Sequence, residues 1–174
     1  MLNVIIAIAA AATMQAAPSA TPRTLETIAG VEIHRFDVAG QTAKAVEAEL
    51  KKVKKGQPET LGRLFTWNAK IGLRNATEGT VCTVDTATAT LDADVYLPRL
   101  TEEAKLPKAD LDEWKAYEAK ITRDATDNLT FVADRLPAIE RSLVGKPCDQ
   151  AATIWNAGVK ALIAEQQAFA KTRR

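Results

Sequence analysis

The sequence predicts an α+β domain: a small antiparallel sheet packed against about three helices, one of them long. Two neighbouring segments alternate apolar and polar residues with a period of two. Three others repeat apolar residues at helical spacing. Their order is strand, helix, two strands, two helices, which sets helices on one face of an antiparallel sheet.

Val31 to Val38 is short and β-rich, and it reads as the first of three main strands. Ala39-Gly40-Gln41 turns the chain, and Thr42 can cap a helix. Ala43, Val46, Leu50 and Val53 then recur at helical spacing. Lys51, Lys52, Lys54 and Lys55 crowd the end of that helix, where cations suit its dipole. Gly56-Gln57-Pro58 stops it.

A long hairpin comes next. Phe65, Trp67, Ala69, Ile71 and Leu73 share one face of its first strand, and Thr66, Asn68, Lys70 and Arg74 share the other. Asn75 to Gly79 reads as a polar turn. Ala87, Ala89, Leu91, Ala93, Val95 and Leu97 face one way on its second strand. Thr86, Thr88, Thr90, Asp92 and Asp94 face the other. One face is dry and one is wet. Pro98 is expected to end the strand.

Asp110 and Glu113 match a capping box opening the long helix. Leu111, Trp114, Ile121, Ala125, Val132, Leu136 and Ile139 mark its apolar stripe. Pro137 should kink or break it near its end. Val144-Gly145-Lys146-Pro147 turns toward Cys148. Trp155, Val159, Leu162, Ile163 and Phe169 stripe the last helix.

The chain of 174 residues fits one domain plus a targeting segment. Residues 1–20 carry no charged side chain, and Leu2 to Met14 is mostly apolar. That run is too short to span a bilayer and is followed by small residues, as in a secretory signal peptide. Residues 21–174 then form a single domain with no stable membrane span, placed in the periplasm or outside the cell. No cysteine precedes Cys82, which excludes a lipid anchor at the cleavage site. Formal net charge is +1 with no basic stripe, which argues against nucleic acid as a partner.

Cys82 and Cys148 are the two cysteines. An oxidising compartment and an even count imply a disulfide between them. It would close a loop of about 66 residues, contributing about 4 kcal/mol in the chain-entropy model. They lack the C-x-x-C spacing of a redox or zinc site. His34 is the single histidine and reads as structural or surface-exposed. No G-x-S-x-G elbow and no glycine-rich phosphate loop is present. Asp92 and Asp94 read as solvated carboxylates on the wet strand face.

Asp124 and Asn128 are four apart on the long helix, so they stack on one side of it. In zincin helices two histidines hold that spacing, with a glutamate base after the first. Four further stretches carry a pattern in order: Phe36-Asp37-Val38-Ala39-Gly40-Gln41-Thr42 at a strand and helix start, Phe65-Thr66-Trp67-Asn68 on a Trp-centred strand, Cys82 with the run from Ala89 to Leu97-Pro98-Arg99, and Ile139-Glu140-Arg141-Ser142-Leu143 with Cys148. Together they resemble a bacterial family of predicted secreted zinc-dependent proteases, a domain family otherwise of unknown function. The first three resemble its opening strand and helix start, its Trp-centred strand, and its cysteine and long strand. The last resembles the stretch after its zinc helix.

The resemblance covers about residues 31–172. Trp114 and Tyr117 occupy the aromatic positions before the family's H-E-x-x-H, whose slot falls on Asp124-Ala125-Thr126-Asp127-Asn128. A second register, starting at Tyr117-Glu118, keeps the glutamate but also lacks both histidines. Zinc catalysis needs three ligands, an open position and a base. Ala125 offers no base and Asn128 only a weak neutral oxygen. The resemblance therefore implies a degenerate member. No catalytic residue and no zinc cofactor are expected, and the chain would act by binding an unknown protein or peptide. The alternatives are a metallohydrolase with atypical ligands, drawn from Asp124, Asp127 and His34, and an envelope structural or assembly factor.

Overall fold

Alternating apolar residues make the strands, and one of them organises the rest. The computed structural model describes residues 23–40, 42–56, 65–101 and 105–173. The leader expected over residues 1–20 lies outside these, as do Gln57 and Pro58. The sheet contains β1 (Val31–Val38), β2 (Phe65–Glu78) and β3 (Val81–Leu100) in the order β1-β3-β2. The helices are α1 (Ala43–Gly56), α2 (Lys108–Ala133), α3 (Leu136–Leu143) and α4 (Ala151–Thr172). This is the expected α+β architecture, a long hairpin packed against helices, one of them long.

The sheet is mixed and not wholly antiparallel. β2 and β3 form the antiparallel hairpin, but β1 runs parallel to β3, with Ile33 opposite Val95. The reason is topological. α1 and the segment after it lead from β1 into β2, and β3 then returns between the two. The hairpin turn is also tighter than the polar run implies. Asn75 to Glu78 stay in β2, and Gly79 turns the chain with φ of 60°. Pro98 does not end β3, which continues to Leu100. The Ala93 N–H bonds the Gly30 carbonyl on the β1 side. By alternation the Pro98 nitrogen points to the β2 side, past the last described β2 pair at Phe65–Val95. Its missing N–H costs no ladder bond among the described residues.

Thr42 caps α1 as expected, its hydroxyl accepting from the Ala45 N–H at 3.2 Å. α2 begins earlier than the proposed capping box. Pro107 holds the cap position, and Asp110 lies inside the first turn. Proline there presets the entry and lacks a donor that would be unsatisfied anyway. Pro137 divides the long helix as expected: α2 ends at Ala133, and α3 carries Pro137 in its first turn.

The core lies between the dry sheet face and the helices. Ala93, Val95 and Leu97 of β3 meet Ile121, Ala125, Leu129 and Val132 of α2 and Leu162 of α4. Leu25 and Ile28, just before β1, close one side of it. Gly30 sits so near β3 that a Cβ would lie 1.9 Å from the Leu91 carbonyl oxygen. A smaller cluster joins Val38, Val46, Leu100, Leu106 and Trp114 at the far end of the sheet.

On the side away from β2, β3 is covered in pieces. Val84 exchanges backbone bonds with Gly145 and Lys146. Glu140 of α3 accepts the Ala89 N–H at 2.5 Å. Gly30 and then β1 take over from Ala93 onward. Cys82 and Cys148 are bonded as expected, with Cα atoms 5.5 Å apart. The bridge ties the start of β3 to the turn before α4. Among the described residues, no helix is long and apolar enough to cross a membrane.

Candidate functional site

Asp124 to Asn128, the stretch that the resemblance sets against a zinc helix, lies in the middle of α2. Asp124 is exposed there, Ala125 is fully buried against the core, and Asn128 is buried under α4. The Asn128 amide is already committed. Its Nδ2 donates to the Asp124 backbone carbonyl at 2.7 Å, and its Oδ1 accepts from Gln166 Nε2 at 2.6 Å. Asp127 pairs with Arg173, the residue that follows α4. Phe131 stacks on Phe169 one turn further on, with ring centroids 4.5 Å apart. α4 therefore seals the side of α2 that a metal would need.

These residues do not fit a zinc ion. Asn128 is a neutral amide buried beneath α4 with its oxygen held by Gln166, Ala125 has no acceptor, and Asp124 is an exposed carboxylate. The second register fares no better. Glu118 faces Arg35 at 3.6 Å, and burial pushes the Tyr117 phenol above its ordinary value. Ile121 is buried in the core.

The set Asp124, Asp127 and His34 is not assembled. Strand alternation puts Ile33 and Arg35 on one sheet face and His34 with Glu32 on the other. α2 covers the first, as the Arg35–Glu118 pair and the packing of Ile33 record. His34 points from the opposite face. There its Nε2 lies 2.8 Å from Asp94 Oδ1 and 3.9 Å from Glu32 Oε1. Tyr96 stacks against its ring at 5.0 Å. Asp94 is thus more than a solvated carboxylate, because the β1–β3 register brings it to His34.

Two clefts lined by described residues flank the helical side. One, of about 570 Å³, runs between Arg23–Glu26 and the outer side of α2 at Glu118, Thr122, Arg123 and Asp127. Its charges are of both signs. Hydrogen bonds from its own backbone N–H and from Thr24 hold the Glu26 carboxyl below its usual range. The other, of about 330 Å³, lies beside Ala89, Pro137 and Glu140.

Gln166 was not singled out by the sequence, although a polar residue one turn after Leu162 in an apolar stripe is a usable signal. An Asn128→Ala protein should lose about 1–3 kcal/mol, since it strands a buried donor on Gln166. A double change to leucine at both positions should recover most of that loss. Urea denaturation of both proteins measures it, and equal loss in the two would contradict the paired arrangement.

No curated protein and no solved structure matches the chain. A family model described as "Bacterial protein of unknown function (DUF922)" matches residues 33–174, from the middle of β1 through α4. That span takes in the hairpin, the disulfide and the whole of α2. The chain belongs to this DUF922 family of bacterial proteins.

Proposed function

We propose that the chain is an exported, non-catalytic relative of zinc-dependent proteases that works by binding a protein or peptide. The observation that carries this reading is the Asn128–Gln166 hydrogen bond. It fills, with two neutral amides, the place where a second zinc histidine would stand in the resembled motif. Ala125, at the position of the base, turns into the core. The apolar leader and the Cys82–Cys148 bridge support an oxidising compartment. The cleft along α2, with Arg23, Glu26, Arg123 and Asp127 around it, offers a polar peptide partners of both charges.

The test is peptide hydrolysis by the oxidised protein, with and without added zinc, beside an Asp124→Asn variant. No metal-dependent cleavage is expected from either. Cleavage that needs zinc and disappears with Asp124→Asn would overturn the reading.

A further inference from the structure

We propose that Glu32, His34 and Asp94 form a binding site for one divalent transition-metal ion on the sheet face opposite α2. The site is distinct from the α2 slot and does not depend on the reading above. One ligand atom from each of the three residues lies within 4.8 Å of the other two. Tetrahedral ligands at zinc–nitrogen and zinc–oxygen distances near 2.1 Å stand about 3.4 Å from one another. The two separations from Nε2, 2.8 Å to Asp94 and 3.9 Å to Glu32, bracket that value.

Both carboxylates converge on the same ring nitrogen. A single N–H can satisfy only one of them, and among the described residues neither carboxylate pairs with a lysine or arginine. A cation between the three atoms would neutralise both. Imidazole among the ligands favours zinc and its neighbours over calcium or magnesium. Tyr96 stacks on the ring and restricts its rotation, while the partly exposed position leaves a coordination site to solvent. The ligands come from paired strands, with Glu32 opposite Asp94 and His34 opposite Tyr96. Bound metal would therefore clamp β1 to β3.

The single histidine makes the test direct, since its ring signals in an NMR spectrum belong to one residue. Zinc is titrated into the oxidised, metal-stripped protein while those signals and the melting temperature are followed. Saturation at one zinc per chain is expected, with the His34 signals shifting and the melting temperature rising. Asp94→Asn and His34→Ala should each weaken zinc binding at least about 10-fold. Both positions are partly exposed, and a melt without zinc confirms that each variant is folded. No saturable binding, or folded variants that bind like the parent, would overturn the site and leave the non-catalytic reading intact. Zinc lost with Asp124→Asn but kept with Asp94→Asn would overturn both.

Discussion

An Ala125→Glu protein should be close to unfolded at neutral pH. Ala125 has no exposed surface and packs among Leu129, Val95 and Leu162 in the main core. A carboxylate there would have no partner, and burying an unpaired charge costs several kcal/mol. The added volume costs about 1–3 kcal/mol more. Those losses rival the whole stability of an ordinary domain, about 5–15 kcal/mol. The melting temperature should fall by about 10 °C or more. Burial raises the folded pKa of such a carboxyl, so the neutral acid is the better-tolerated form. The loss should therefore shrink as pH falls toward the ordinary glutamate value of about 4.3. Thermal melts across that pH range measure it. A variant as stable as the parent at pH 7 would mean that this side of α2 opens to solvent, as a catalytic helix must.

The second large effect is expected at the disulfide. Replacing Cys82 and Cys148 together by serine should cost about 4 kcal/mol, because the bridge closes a separation of 66 residues. For a chain of this size that corresponds to a drop of about 8–16 °C in melting temperature. Calorimetry of the oxidised parent, the reduced parent and the double variant separates the missing bond from the substituted side chains. Reduction alone should reproduce most of the loss. A change below about 1 kcal/mol would mean that the backbone bonds of Val84 with Gly145 and Lys146 already hold this end of β3 without the bond.

The strands and the core-facing residues were legible because each carries its own period. Phe65, Trp67 and Ala69 on one strand, and Leu91, Ala93 and Val95 on the next, declare a dry face without any knowledge of the partner. The direction of β1 was not legible, because nothing within Val31–Val38 says which strand it will lie beside. The same gap hid the metal-site candidate. Glu32 and Asp94 are neighbours only through the parallel register, 62 positions apart in sequence. Asn128 drew notice by its spacing from Asp124, but its partner Gln166 lies 38 residues away on another helix. Asp110 misled because its own position fits a cap, while Pro107 starts the helix one turn earlier.

The piecewise covering of β3 has a consequence for self-association. A long strand with a bare edge is a template for pairing with other molecules. β3 offers no long bare stretch: β2 takes one side, and the 145–147 turn, Glu140, Gly30 and β1 divide the other. Among the described residues the outer strands are therefore β1, of eight residues, and β2, of fourteen. β2 is the greater hazard, and it carries deterrents. Lys70 and Arg74 place charge along it, and Gly72 weakens any added ladder. A neighbouring molecule approaching β2 edge-on would meet a charged strand with a glycine in it, so the longest outer strand among the described residues is a poor seed for aggregation.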